Sequence, residues 1–404
     1  MKTIAFWLKF SVFNFAIVAL LGVLMRYKIA FSLPIVDQKH MQEAHSHFAF
    51  YGWITQIIYV LIIRYLQKFF HEYQLKPYNI LLIVNAIAAY TMIPSFIYNG
   101  YYWLSIAASI VALLTSFVFL YYLVRDLKTV NDLSKPWFVG GLFFAVLSSV
   151  GVFGLSYMMI SGHMTQNLYL AATYYYLHFQ YNGFFLFACI GLLIDSIRNV
   201  GAEISEKENR TMFWLMFFGC LVGYGLSVLW LKLPLWIFIG IVIATSAQTL
   251  AAVKIYKMVK NNWKHLVVNF SPMQRFVLIY VGFAFFVKIL LQLGSNIPAV
   301  SQFAFGFRNI VIAYLHLILL MCISVFLISQ ILATNVFKIT KPILNGLKLL
   351  LLGIFLNEAV LGIMGVLSIK YISFPYSPQI LLVVSVMMLL GLLLMFFNLR
   401  KKEI

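Results

Sequence analysis

The sequence predicts an all-α integral membrane protein, a single domain of twelve transmembrane helices that covers residues 1–404. Hydrophobic residues make up 63% of the chain and charged residues only 10%, a balance that soluble globular domains do not reach. Apolar windows of about 20 residues, the length of helix that spans a bilayer core, recur from one end of the chain to the other. Lysine and arginine collect in alternate loops between these windows, which independently indicates regular membrane crossing.

Twelve windows qualify as membrane spans. In chain order we predict them at 4–27, 42–66, 77–98, 101–124, 137–160, 169–196, 211–231, 234–257, 273–293, 309–334, 345–368 and 378–399. No small-residue cleavage site follows the first window, so we expect a retained helix and not a signal peptide. No repeat of fixed period is evident at this level.

The loop charges predict the orientation of the spans. With the N terminus in the cytoplasm, the cytoplasmic loops carry most of the lysines and arginines, among them Arg64, Arg125 and Lys254. The outer loops carry few, such as Lys39 and Lys370. This predicts that both termini lie in the cytoplasm and that the protein resides in a bacterial-type cytoplasmic (inner) membrane. This orientation also explains the net charge of +18 without a nucleic-acid partner, because the basic residues lie in separate loops and not in one surface patch. The expected partner of these loops is the membrane lipid.

Four of the eight histidines lie inside apolar windows: His45, His47, His178 and His316. At about 1.5 Å of rise per residue, the predicted topology puts all four within roughly 5 to 14 Å of the outer membrane boundary. An ionisable side chain inside the bilayer is costly unless it is paired, so histidines at one depth on three helices favour a shared site. Imidazole is a common ligand of haem iron and of copper. The alternative is an ordinary interhelical hydrogen bond for each histidine.

Helix geometry separates these residues into two groups. Residues two apart on a helix point about 200° apart, so His45 and His47 cannot both enter one small pocket, and the same holds for Tyr314 and His316. One member of each pair is therefore expected at a cofactor and the other at a second site or in an orienting hydrogen bond. Three further residues, spaced i, i+3 and i+4, share one helix face: His178, Tyr181 and Asn182.

The layout resembles the twelve-helix catalytic subunit of the haem-copper oxidase and nitric oxide reductase superfamily. On the second helix, cbb-type members of that family have histidine, any residue, asparagine, and a glycine seven residues after the histidine. Here the segment has His45, His47 in the asparagine position, and Gly52. The same spacing is similar to the second-helix motif of the NnrS family, twelve-span proteins with haem and copper that are linked to nitric oxide.

Two more motifs extend the resemblance. On the sixth helix, Tyr176-Leu177-His178 precedes residues 183–186 (GFFL), where cbb-type members place a copper-ligand histidine shortly before the same run. On the tenth helix the family has histidine, any residue, histidine and leucine, and this chain has Tyr314-Leu315-His316-Leu317. The family's copper-ligand histidine pair on the seventh helix is missing, because residues 211–231 contain no histidine.

The resemblance implies a low-spin b-type haem with His45 and His316 as its axial ligands. It also implies a degenerate second site near His178, His47 and Tyr314. A three-histidine copper site cannot form there, and whether a second metal binds stays open. The implied function is electron transfer, or redox chemistry linked to nitric oxide or oxygen, with an oxidoreductase activity if the chain is an enzyme. A quinol or a separate cytochrome c would supply electrons, and partner subunits are compatible with this role.

Two alternatives remain open from the sequence. One is an active, divergent terminal oxidase or nitric oxide reductase with an unusual metal site. The other is a haem-free transporter or sensor on the same scaffold, with Glu358 and Lys288 on its path. Lys288 lies near the outer end of its span, so we expect it to extend outward to the interface or to neutralise a haem propionate. Glu358, near mid-span, is the candidate for a proton or ion pathway.

Overall fold

The computed structural model describes residues 3–163, 165–231, 233–301 and 307–402 and contains no β-strand within these ranges. Twelve of its helices are long and apolar enough to cross a membrane, so the chain is a multi-pass, all-helical membrane protein. They are α1 (Ile4–Phe31), α2 (Gln38–Leu66), α3 (Glu72–Asn99), α4 (Trp103–Thr129), α5 (Lys135–Ser161), α6 (Gln166–Asn199), α7 (Glu206–Val228), α8 (Leu235–Asn261), α9 (Pro272–Gly294), α10 (Arg308–Ala333), α11 (Lys341–Ile369) and α12 (Ser377–Asn398). Each predicted window overlaps one of these helices, and the predicted number of spans is confirmed.

Polar side chains set the first turns of several helices. Asp37 caps α2 by accepting hydrogen bonds from the backbone N–H groups of Lys39 (2.8 Å) and His40 (2.9 Å). Such a cap satisfies N–H groups that the first helical turn leaves without partners. Thr165 caps α6 in the same way. These caps let the helices begin several residues before the apolar windows do.

The helices group into two compact units. The first comprises Met1–Phe119 and Ser324–Ile404, and the second comprises Leu120–Ile323, so the division falls inside α4 and α10. Within the first unit α1 packs against α12, α12 against α11, and α2 against α3. Within the second unit α5 packs against α6, α7 against α8, and α8 against α9. The single domain over residues 1–404 stays a prediction.

Three of the twelve spanning helices change from α-helix to π-helix part of the way along. The π segments are Phe48–Thr55 in α2, Phe179–Phe185 in α6 and Leu317–Ser324 in α10. Each begins at the residue directly after a histidine, namely His47, His178 and His316. π-Helical turns are rare and occur frequently at functional sites. The three helices that carry the membrane histidines are therefore distinguished by their backbone as well as by their sequence.

The π segments also resemble one another in position and, in two cases, in sequence. They fall on every fourth span, the second, sixth and tenth, and two of them share a sequence pattern. Residues 47–52 read HFAFYG and residues 178–183 read HFQYNG, with histidine, phenylalanine, an aromatic residue and glycine at matching positions. The third copy begins with His316 but has Met321 in the glycine position. A short motif is therefore shared by α2 and α6, and the absence of a repeat of fixed period stays a prediction.

Candidate functional site

His45 and His47 point to different sides of α2, as the sequence predicts. Gly22 of α1 lies opposite His45, and a Cβ atom added at Gly22 would come 3.5 Å from His45 Cε1. Gly22 therefore meets the imidazole without a side chain of its own. The His47 ring instead packs on Phe96 of α3, with ring centroids 4.3 Å apart, and edge-on against Tyr101, with centroids 5.6 Å apart.

Both ring nitrogens of His47 are engaged in hydrogen bonds within the first unit. Nδ1 donates to the backbone carbonyl of Glu43, one turn earlier on α2, at 3.0 Å. Nε2 accepts from the hydroxyl of Tyr101 at 3.3 Å. This pattern corresponds to a neutral imidazole with its proton on Nδ1.

Side-chain amides from two neighbouring helices support the π segment of α2. Asn14 Nδ2 of α1 donates to the carbonyl of Gly52 at 2.6 Å, and Asn85 Nδ2 of α3 donates to the carbonyl of Tyr51 at 2.9 Å. Both asparagines are buried. Tyr90 of α3 in turn donates to Asn14 Oδ1 at 2.8 Å. A buried carbonyl without a partner is costly, so these amides stabilise the unusual backbone directly after the histidines.

His178 is buried and joins α6 to α7 in the second unit. Nε2 donates to the backbone carbonyl of Cys220 at 2.8 Å, and Nδ1 accepts from Asn182 Nδ2 at 3.2 Å. These two bonds define a neutral ring with its proton on Nε2. The ordinary interhelical hydrogen bond, the alternative reading of a membrane histidine, is therefore what His178 forms.

Tyr314 lies in an aromatic cluster of the second unit. Its ring meets Tyr181 at a centroid distance of 6.2 Å, and Tyr181 meets His178 at 6.5 Å, both in edge-to-face geometry. The i and i+3 positions of α6 thus share one face, as their spacing predicts. The structure brings His178, Tyr181 and Tyr314 together as packed rings.

His316 is half-buried at the end of the α-helical part of α10, Arg308–His316, in which none of the residues is buried. Its Nδ1 donates to the backbone carbonyl of Ile312, one turn earlier, at 2.9 Å. A histidine that donates from Nδ1 to a carbonyl keeps its lone pair on Nε2, the arrangement typical of imidazole ligands to metals.

The donor groups at these positions differ in how they suit the two groups that the sequence implies. His45, opposite a glycine, and His316, with its proton fixed on Nδ1, fit the imidazole ligands of a low-spin haem. The residues implied for a second metal do not fit. Both ring nitrogens of His47 and of His178 are engaged, and among the described residues no three His, Cys, Asp or Glu side chains are arranged to hold a metal ion. The second metal stays a prediction.

The two membrane-embedded charges outside the histidine layer behave differently. Lys288 is 1% exposed, and its Nζ donates to Gln292 Oε1 at 2.6 Å. The expectation that Lys288 extends outward to the interface is therefore wrong, because its amine is hydrogen-bonded inside the second unit. Glu358 accepts from Asn357 Nδ2 at 3.0 Å and interacts electrostatically with Arg26 of α1.

No protein-family model matches the chain, and a search of curated proteins finds no significant match. The fold and the site therefore define its class: a twelve-helix membrane protein in which histidines mark the start of π-helical segments on every fourth span.

Proposed function

We propose that this chain is a haem-binding membrane protein related to subunit I of the haem-copper oxidases. In this proposal His45 and His316 are the axial ligands of one low-spin b-type haem, as the family resemblance implies, and both termini face the cytoplasm of an inner membrane. The observation that carries the proposal is the repeated change from α- to π-helix after a histidine. It occurs on the second, sixth and tenth spans, the same three spans to which the family resemblance assigns ligands.

The chain's own residues prepare the two ligands in different ways. The Nδ1–H group of His316 donates to the Ile312 carbonyl, which orients the ring and makes Nε2 a stronger base. Beside His45, the α1 backbone at Gly22 faces the imidazole without a side chain. The amides of Asn14 and Asn85 hold the π segment that follows.

A haem with two histidine ligands would supply a one-electron redox couple without an open position for oxygen. We therefore propose electron transfer, with a quinol or a separate cytochrome c as the donor, alone or with partner subunits. An active oxidase or nitric oxide reductase is less well supported, because His178 and His47 have no ring nitrogen left for a second metal. Metal analysis that gives one iron and no copper would separate these two functions.

Absorbance spectra of the detergent-purified protein test the proposal. Protein from cells supplied with haem should show a reduced low-spin b-type spectrum with about one haem per chain. His45→Ala and His316→Ala should each abolish the spectrum, since one imidazole cannot hold a six-coordinate low-spin iron. His47→Ala, two residues from the first ligand, is the matched control and should retain it. A colourless wild-type preparation would rule the function out, and loss of haem in His47→Ala alone would exchange the roles of the two α2 histidines.

A haem-free transporter is the second candidate, and one observation favours it. A buried lysine with two buried glutamines lies between α8 and α9, an arrangement that electron transfer does not require. Polar and ionisable groups inside a membrane domain commonly mark the path of a solute or ion.

A further inference from the structure

Lys288 places an amine inside the second unit, and its surroundings are neutral. Besides Gln292, the groups within electrostatic range of the amine are the thiols of Cys220 and Cys322 and the imidazole of His178. No carboxylate of the described residues pairs with it. A buried ammonium without a counter-charge is strongly unfavourable in a membrane domain. An anion at this position would remove that cost.

Hydrogen-bonding side chains extend from Lys288 across to α8. Gln292, one turn after Lys288 on α9, donates from its amide to Gln248 Oε1 of α8. One turn further on, Asn296 Nδ2 donates to Thr245 Oγ1 at 2.9 Å. A line of amide and hydroxyl groups thus runs from the end of α9 inward to the amine. Amides carry no titrating proton near neutral pH, so this line suits an ion better than a proton relay.

Two glycines of α7 leave room beside Gln248. A Cβ atom at Gly219 would come 2.5 Å from Gln248 Cγ, so only glycine lets this glutamine approach α7. A Cβ atom at Gly223 would lie 3.7 Å from Gln248 Nε2 and 3.8 Å from His178 Cε1. The position beside Gly223 is therefore bordered by both polar atoms of the Gln248 amide and by an imidazole carbon, and it admits a methyl group at ordinary contact distances.

We propose that Lys288, Gln292, Gln248 and Gly223 form a binding site for one small monovalent inorganic anion of halide size. Lys288 supplies the positive charge, because Nζ has N–H groups beyond the one directed at Gln292. The Gln248 amide supplies a neutral donor, and Gly223 supplies the space. A larger or multiply charged anion does not match one buried amine. The site is independent of the haem proposal.

Chloride binding to the full-length protein in detergent tests the site directly. Equilibrium dialysis with radioactive chloride, against gluconate as the bulky reference anion, should give about one saturable site per chain. Chloride should also raise the unfolding temperature relative to gluconate, since a ligand that binds only the folded state stabilises it. Absence of saturable binding to the wild-type protein would overturn the proposal without recourse to any variant.

Two pairs of variants locate the site. Lys288→Met removes the charge and should weaken chloride binding at least about tenfold, because hydrogen bonds to charged groups contribute more than neutral ones. Lys257→Met, an exposed lysine of α8, should bind as the wild type does. Gly223→Ala places a methyl group in ordinary contact with its neighbours, so the protein should fold and bind chloride more weakly. Gly282→Ala on α9, where a Cβ meets nothing within 4 Å, is its control.

Three results would contradict the site. Undiminished binding in Lys288→Met would show that chloride lies elsewhere. Undiminished binding in Gly223→Ala would show that the anion does not lie beside Gly223. Binding that is seen in haem-free protein and lost in haem-loaded protein would assign Lys288 to a haem carboxylate and overturn the site for a free anion.

Discussion

The π segments of α2 and α6 begin with the same sequence pattern, but different groups hold them in place. In α2 the neighbouring helices supply the hydrogen bonds, with Asn14 and Asn85 donating to carbonyls inside the π segment. In α6 the histidine itself bonds to a neighbouring helix, from His178 to the carbonyl of Cys220. Gln180 of the π segment also donates to Ser148 Oγ of α5. One helix is thus supported from outside, while the other is joined to its neighbour by the histidine.

This difference separates two uses of a membrane histidine. Where amides of other helices satisfy the π segment, as in α2, the histidines need not hold the helices together. His47 bonds to its own helix and to Tyr101, and His45 lies opposite a glycine. Where the histidine itself connects two helices, as His178 does, both ring nitrogens are committed. A shared sequence pattern therefore does not imply a shared role.

The largest expected effect comes from removing the two histidines in turn, which tests whether His178 contributes more to stability than His47. His178→Ala leaves the buried carbonyl of Cys220 and the amide of Asn182 without partners and opens a cavity, so we expect a loss of about 2–4 kcal/mol in the free energy of unfolding. His47→Ala removes a half-buried ring and should cost less than about 1 kcal/mol. Denaturant unfolding in detergent measures both. Equal losses would show that His178 is no more structural than His47.

Removal of an amide that supports the π segment of α2 should lower the free energy of unfolding by a smaller amount. Asn85→Ala leaves the Tyr51 carbonyl and the Gln56 side-chain oxygen without this donor, which should cost about 1–3 kcal/mol because both atoms are buried. Ser148→Ala is the matched change beside α6, where it removes only the acceptor of Gln180 Nε2. It should cost about 1 kcal/mol. If the loss at Ser148 matches or exceeds that at Asn85, the π segment of α2 does not depend on its neighbours in the way described.

The spans were predictable because hydropathy and helix length are local properties. Every apolar window overlaps one spanning helix, and no predicted bound differs from the helix bound by more than five residues. The window in α2 begins at residue 42, whereas the helix begins at Gln38. The intervening turn is polar, so hydropathy excludes it, while the cap at Asp37 extends the helix through it.

The site was predictable only in part. The opposite directions of His45 and His47 follow from the rotation of about 100° per residue, and the structure shows them. The partner of His178 is a backbone carbonyl, which leaves no mark in the sequence. The wrong expectation for Lys288 arose because hydropathy gives the depth of a residue but not the direction of its side chain. The pattern shared by residues 47–52 and 178–183 was available in the sequence, but the segment after His316 matches it only at the histidine.

The smallest expected effect concerns the first turns of α2 and α6, whose stability should respond differently to pH. The backbone N–H of His40 holds the pKa of the Asp37 carboxyl below its usual range, with a weaker contribution from the N–H of Lys39. A lowered pKa in the folded state means that the cap stabilises α2 above the unfolded pKa of about 3.9 and loses this contribution as the pH falls through the folded value. The start of α6 is capped by Thr165, which does not titrate.

Hydrogen exchange at the first turns of α2 and α6, corrected for intrinsic rates and compared between pH 6 and pH 3, measures this difference. We expect a few-fold loss of protection in α2 at pH 3 and none in α6. Asp37→Asn keeps a side chain that caps well and removes the titrating group, so it should make α2 as insensitive to acid as α6. If α6 loses protection to the same extent, the acid effect is general. The two helix starts would then differ in sequence but not in how they respond to protons.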